Sequence, residues 1–254
     1  ARTKVGAPKC LINDNYDQVV EDEQKCDIMS SHLNPRFTFE NFVVGGANKV
    51  AYGAAKAIAE KKKLPGDNNI LYLHSNVGMG KTHLLQAITS YIRTNKPKSK
   101  VAYLSAEKFM HLYIKSVKSN DVVTFKEKLR SADVLLVDDL QFICGKTGTQ
   151  QEFTNIMNSL TDSNKIVVIS SDTNPYNLNV DQRSKSRIAG GLVVEIKPSD
   201  YELRLEILKN KVKQFDEVEV PGEVLELIAQ KITSSNRELE GALNKTITHA
   251  ELNA

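Results

Sequence analysis

Tryptophan is absent from this chain of 254 residues, cysteine occurs three times, and no apolar run approaches the length of a membrane span. The missing run excludes a transmembrane helix, which needs about 20 consecutive apolar residues. Cys10, Cys26 and Cys144 are odd in number and far apart. Without a paired C-x-x-C they form neither a disulfide framework nor a zinc site, and they predict a reduced, cytoplasmic setting. Charge of one sign is also lacking: 34 Lys and Arg against 31 Asp and Glu leave a net +3, too little for bulk charge to recruit nucleic acid without a local basic patch. The residues after Ala1 have no signal-peptide apolar region, so the chain reads as a piece of a longer protein.

What is there is an ordinary globular composition, 41% hydrophobic and 26% charged, long enough for one large domain or two smaller ones. Residues 1–31 combine Gly6, Pro8 and the acidic cluster Glu21, Asp22, Glu23 and Asp27 with few sustained apolar positions, which predicts a linker or disordered segment. Phe37, Phe39, Phe42, Val43 and Val44 then open a different texture, followed by an Ala-rich helix over Val50–Lys62. Apolar runs at Asn69–His74, Val101–Ser105, Val134–Val137, Ile166–Ser170 and Leu192–Ile196 alternate with segments of helical periodicity. Nearly continuous apolar strands separated by helices indicate a parallel sheet covered on both faces. From Asp200 the strands stop, and Tyr201–Phe215, Pro221–Ile232 and Asn236–Leu252 read as three helices, with Pro221 in a first turn. The fold class is α/β, with a nucleotide-binding domain over 32–199 and a small all-α lid over 200–254.

The chemistry begins at Ser75-Asn76-Val77-Gly78-Met79-Gly80-Lys81-Thr82. This is a P-loop, Gly-x-x-x-x-Gly-Lys-[Ser/Thr], with Ser75 in place of the first glycine. The preceding strand and following helix aim backbone N–H groups and a helix N-terminus at phosphates. Lys81 would reach the β- and γ-phosphates and the Thr82 hydroxyl would bind Mg²⁺. Asp138 and Asp139 end the apolar strand Val134–Val137. They read either as a strand-end cap or, given Lys81 and Thr82 upstream, as a Mg²⁺ ligand (Asp138) and a water-orienting carboxylate (Asp139). Asp172 follows another strand at the same carboxyl edge, where open α/β sheets bind ligands. Spacing alone makes Arg183 and Arg187 a solvated loop, Arg237 a surface arginine beside the stripe Leu239, Leu243, Ile247 and Ala250, and His83 part of helix-start packing.

Several phrases carry a resemblance. They are Asn34-Pro35-Arg36-Phe37-Thr38-Phe39-Glu40-Asn41-Phe42-Val43-Val44-Gly45, Gly78-Met79-Gly80-Lys81-Thr82-His83-Leu84-Leu85, Asp138-Asp139-Leu140-Gln141-Phe142, Ser170-Ser171-Asp172 and Arg237-Glu238-Leu239-Glu240-Gly241-Ala242-Leu243. From about Leu33 to Leu252 the chain resembles the AAA+ ATPase domain of the bacterial replication-initiator family DnaA. The resemblance implies that Val43, Val44 and Asn48 border the adenine of ATP or ADP. It implies that Asn76 to His83 line the phosphate side, that Thr82 and Asp138 hold Mg²⁺, and that Asp139 and Asp172 complete Walker B and sensor 1. Arg187 would be an arginine finger for a neighbouring subunit, and Arg237 a sensor 2 arginine. A helical insertion over about Glu107–Arg130 would serve assembly and single-stranded DNA, with Ile114, Lys146 and Thr149 at DNA-facing positions; Ile114 reads equally as helix core.

The same resemblance implies ATP-dependent self-association, contact with single-stranded origin DNA, a replicative helicase or its loader as partner, and acidic phospholipids as a further surface. Some residues depart from the family's pattern. Gly148 replaces a DNA-facing arginine, leaving that contact to Lys146. Ala189-Gly190-Gly191-Leu192 lacks an aromatic, which predicts a looser loop around Arg187. Within these 254 residues no duplex-reading domain is expected after the lid. Asp139, a methylene shorter than glutamate, predicts slow, switch-type hydrolysis. The alternatives are a helicase loader or regulatory paralogue acting through protein binding, and a P-loop nucleotide kinase, in which Arg237 has no clear role.

Overall fold

The computed structural model describes residues 30–61, 69–215 and 219–252. Most of the linker expected over 1–31, Cys10, Cys26 and the end of the helix expected at Lys62 fall outside the described residues. Five strands form one parallel sheet: β1 (Ile70–His74), β2 (Val101–Ser105), β3 (Val134–Asp138), β4 (Ile166–Ser171) and β5 (Leu192–Glu195), in the order β2-β3-β4-β1-β5. Alternation along the strands splits their side chains between two cores. Tyr72, Leu104, Leu135, Val137, Val167 and Ile169 face one side, and Leu71, Leu73, Leu136, Val168 and Val194 the other. Burial on both sides explains why the sequence shows apolar runs rather than a polar alternation.

The first core is covered by α3 (Ala106–Lys118), α4 (Val122–Arg130), α5 (Thr147–Asp162) and α6 (Gln182–Ala189), and the second by α1 (Lys49–Ala59) and α2 (Lys81–Asn95). Ser105 caps α3, its hydroxyl accepting the Lys108 N–H at 3.2 Å, and Asp181 caps α6 by accepting the Ser184 N–H at 2.9 Å. The insertion expected over Glu107–Arg130 is therefore two helices, α3 and α4.

A third core lies within α7 (Tyr201–Val212), α8 (Gly222–Lys231) and α9 (Asn236–Leu252), built on Leu208, Leu225, Ile228, Leu239, Leu243 and Ile247. This is the all-α lid. Two details differ from expectation. Pro221 caps α8 from outside, with ψ of 140°, rather than occupying its first turn. Ala250 is exposed: among the described residues the buried lid core ends with Ile247.

Strand β2 is an outer strand, yet its free side is not bare. The Ser31 N–H donates to the Tyr103 carbonyl at 2.6 Å. The Tyr103 N–H donates to Ser30 Oγ and the Ser105 N–H to Ser31 Oγ, both at 3.2 Å. Ser30 and Ser31, expected to end a linker, instead form a strap along the sheet edge.

Candidate functional site

The P-loop leaves the carboxyl end of β1 and turns into α2. Gly78 and Gly80 have φ of +80° and +100°, a region in which a side chain is strained. Gly80 also faces the Phe42 ring, whose Cε2 would lie 3.0 Å from an added Cβ. Ser75 is not among the residues with positive φ, so the side chain in the first glycine position carries no left-handed strain. Met79 is buried and anchors the loop in the core, while Asn76 and Val77 are exposed at its rim.

The Lys81 ammonium donates to the Ser75 carbonyl at 2.8 Å, the Asn76 carbonyl at 3.1 Å and Ser75 Oγ at 3.2 Å. Burial lowers its pKa; Asp139, Asp172 and Asp138 oppose that shift, and the positive charge of Arg237 reinforces it. All four charges therefore act at one place.

Strand β4 lies between β1 and β3 and joins their ends. The Ser75 N–H donates to the Ser171 carbonyl at 3.3 Å. The Ser170 hydroxyl donates to Asp138 Oδ1 and accepts the Asp139 N–H at 2.8 Å. Asp138 is 3% exposed, and its hydrogen-bond partners are the neutral hydroxyls of Ser170, Tyr103 and Thr82. Burial raises its pKa above the usual carboxylate range, while the bonds from Ser170, Thr82 and Tyr103 act in the opposite direction. A buried carboxylate answered by neutral donors, with the Thr82 hydroxyl beside it, is the donor set of a hard cation that also takes phosphate oxygens.

Asp139 has φ of 58° and Asp172 follows β4 directly. Gln141 joins them: its Nε2 donates to Asp139 Oδ1 at 3.1 Å and its Oε1 accepts the Asp172 N–H at 3.2 Å. The lid closes the site from the other side. The Asn236 N–H donates to the Gly78 carbonyl at 3.2 Å. A Cβ on Gly78 would meet Ser235 Cβ at 2.8 Å and Arg237 Cβ at 3.3 Å. Arg237 thus stands over the phosphate loop, where spacing alone made it a surface arginine.

The remaining candidates divide. Asn48 is buried and its side chain is spent on its own loop, accepting the Gly45 N–H and donating to the Val43 carbonyl, both at 2.9 Å. It shapes the segment that carries Val43 and the exposed Val44. The His83 ring lies 2.7 Å from the Thr38 carbonyl and stacks on Phe37 at 4.8 Å, leaving its backbone N–H as the part that faces the loop. Arg187 sits in helix α6, not in a loosened loop, and is ion-paired with Asp162. Both residues lie shortly before strands β5 and β4, at the amino edge of the sheet, a strand's length from the P-loop.

Ile114 is 44% exposed on α3, which excludes the helix-core alternative, and Lys146 is exposed before α5. Thr149 is 7% exposed: it lies on the inward face of α5, and its side chain is withdrawn from any DNA surface. Sequence reasoning gave no role to Ser170, Tyr103, Gln86 or Gln141; the only signal was that Ser170 and Gln141 lie inside recognised phrases.

The bacterial DnaA ATPase domain model matches residues 33–195. The chain is 48% identical over 236 residues to the chromosomal replication initiator protein DnaA of Rickettsia massiliae, and the match covers 92% of this chain and 51% of that protein. The chain thus spans about half the length of the curated relatives it matches. Domain III of the Thermotoga maritima replication initiation protein DnaA superposes with a TM-score of 0.81 at 40% identity, covering 88% of this chain and 92% of that one. A replication initiator DnaA bound to AMPPCP and single-stranded DNA superposes at 0.76 with 36% identity, covering 84% and 65%. The DnaC helicase loader shares the fold alone, at 15% identity and a TM-score of 0.53.

Proposed function

The chain belongs to the bacterial DnaA ATPase domain family, and we propose that it is the ATP-dependent switch of a chromosomal replication initiator, hydrolysing slowly and engaging single-stranded DNA when assembled. The observation that carries this reading is the meeting of Lys81, Thr82, Asp138 and Asp139 at one sheet edge with Arg237 from the lid. In this reading the β- and γ-phosphates replace the Ser75 and Asn76 oxygens as partners of the Lys81 ammonium. The backbone N–H groups from Gly78 to Thr82 cradle the same oxygens at the start of α2. Mg²⁺, held by Thr82 and Asp138, would neutralise phosphate charge.

Asp139 orients the attacking water and Asp172 lies beside it. The Gln141 amide already holds one oxygen of Asp139, and the shorter side chain sets that carboxylate back, both of which favour slow hydrolysis. Arg237, fixed to the lid, senses whether a γ-phosphate is present and couples it to lid position. Arg187 serves the nucleotide of a neighbouring copy. Origin opening belongs to the whole protein, of which this chain would supply the motor.

The test is sedimentation with ATP or ADP, with and without single-stranded DNA. ATP alone should promote oligomers and strand binding, and Lys81→Ala should abolish the difference. An unchanged response in that variant removes the P-loop from the mechanism.

A further inference from the structure

The strap on the sheet edge is joined to the site by a buried chain of hydrogen bonds. The Asn34 N–H donates to Gln86 Oε1 at 2.7 Å. Gln86 Nε2 donates to the Tyr103 hydroxyl at 3.1 Å, and that hydroxyl lies 3.1 Å from Asp138 Oδ2. Gln86, Tyr103 and Asp138 are 7%, 3% and 3% exposed. The direction of every bond follows from the first. A backbone N–H only donates, so it fixes the Gln86 amide with its oxygen outward and its nitrogen toward Tyr103. The tyrosine oxygen is then an acceptor on that side, and its one hydrogen points at the carboxylate. Tyr103 is held at its other end as well. Its backbone N–H and carbonyl are the groups bonded by Ser30 and Ser31, and Lys108 Nζ donates to the Ser30 carbonyl. One residue therefore meets the strap with its main chain and Asp138 with its side chain.

We propose that Tyr103 is a positioning residue that transmits the seating of the segment Ser30–Asn34 to the orientation of Asp138, so that the chain ahead of the ATPase fold adjusts how Mg²⁺-nucleotide is held. The proposal rests on the reading of Asp138 as a Mg²⁺ ligand. With the strap seated, Tyr103 fixes Oδ2 while Ser170 fixes Oδ1, and the carboxylate has one orientation relative to Thr82. With the strap lifted, the Asn34 donor leaves Gln86, whose amide is then free to turn. The Tyr103 main chain also loses its outer partners. The coupling runs in both directions, because any effect of the strap on the metal site is matched by an effect of the metal on the strap.

Tyr103→Phe deletes the hydroxyl and keeps the ring. In the full chain, with folding checked by thermal melting, two quantities are read: the Mg²⁺ concentration that half-saturates ATP binding, and hydrogen exchange at the Ser31, Asn34 and Tyr103 amides with ATP, with and without Mg²⁺. Wild type should gain protection at those amides when Mg²⁺ is added. Tyr103→Phe should need about three- to tenfold more Mg²⁺, the net loss expected of one ordinary hydrogen bond, and should lose the Mg²⁺-dependent protection. ATP binding without metal should be unchanged. Ser30→Ala combined with Ser31→Ala, which leaves Tyr103 in place, should shift the Mg²⁺ requirement in the same direction. An unchanged or lowered Mg²⁺ requirement in Tyr103→Phe, or strap amides in wild type indifferent to Mg²⁺, overturns the coupling. Asp138→Asn separates the two readings: if it leaves the Mg²⁺ requirement unchanged, the ligand assignment itself fails. If it raises that requirement while Tyr103→Phe does not, only the coupling fails.

Discussion

Ser75 stands where a phosphate loop normally has glycine, and its backbone shows why a side chain is tolerated. The left-handed conformations fall at Gly78 and Gly80, so the cost of roughly 1–3 kcal/mol for a strained non-glycine residue does not arise at Ser75. Its hydroxyl instead becomes one of the groups that hold Lys81. Lys81, Thr82, Asp138 and Asp139 were legible in the sequence because each belongs to a short contiguous pattern with its own strand. Tyr103 and Gln86 were not, because the bonds that give them meaning reach residues 35 and 17 positions away. His83 shows a third situation, in which the residue was legible and its role divided. Burial against Phe37 and Phe42 lowers its pKa, the hydrogen bond to the Thr38 carbonyl acting in the opposite direction, so the folded chain takes up that proton at lower pH than the unfolded chain, which titrates near 6.5. Over the window just below pH 6.5 the unfolded state binds more protons, and stability, complete above that window, is lost as pH falls through it. Urea unfolding should show the free energy declining between pH 7.5 and 5.5. His83→Phe, which keeps the stacking, should flatten that decline; His74, shifted downward for the same reason, keeps it from vanishing.

At the scale of elements the strands were read almost residue for residue, since a buried parallel strand announces itself as a short apolar run. Helix α5 shows where periodicity was underused. Thr149 is four residues before Phe153 and stands on the same face as Ile156, Met157 and Leu160, all buried, so the helical repeat alone assigns it inward. The α3–α4 pair presents the opposite situation, with Ile114, Val117 and Val123 exposed. An exposed side chain contributes little to folding, so its substitution isolates binding from stability. Ile114→Asp should weaken single-stranded DNA binding about five- to fiftyfold, on the order of losing one partly buried aliphatic side chain from the contact, while thermal stability and ATP affinity stay unchanged. Fluorescence anisotropy with a labelled oligonucleotide checks it. Unaltered affinity would show that α3 does not line the DNA groove.

For the whole molecule the informative distance is the length of the sheet. Lys81 is at its carboxyl edge and Arg187 toward its amino edge, so a copy acting as proposed would present a nucleotide from one end and a finger from the other. Such copies would stack head to tail, an arrangement that extends without closing on a pair. The resemblance supplied this role for Arg187 and spacing did not, because a trans contact leaves no mark within one chain's periodicity. Mixing two defective variants exposes it. Lys81→Ala keeps its finger without nucleotide, and Arg187→Ala keeps its nucleotide without a finger. Under conditions of assembly, their mixture should hydrolyse ATP at least about tenfold faster than either alone, given the large rate contribution of such fingers. A rate equal to the average of the two would place Arg187 outside the reaction.

The strap along β2 has one more consequence, for where this fold can be cut. The family match starts at residue 33, but the sheet is finished by Ser30 and Ser31. A fragment trimmed to the family boundary would uncover the outer N–H and C=O groups of Tyr103 and the N–H of Ser105. Bare groups of that kind recruit strands from other molecules. Such a fragment would stick to itself whether or not nucleotide is present, and its clumping would imitate the assembly it was made to measure.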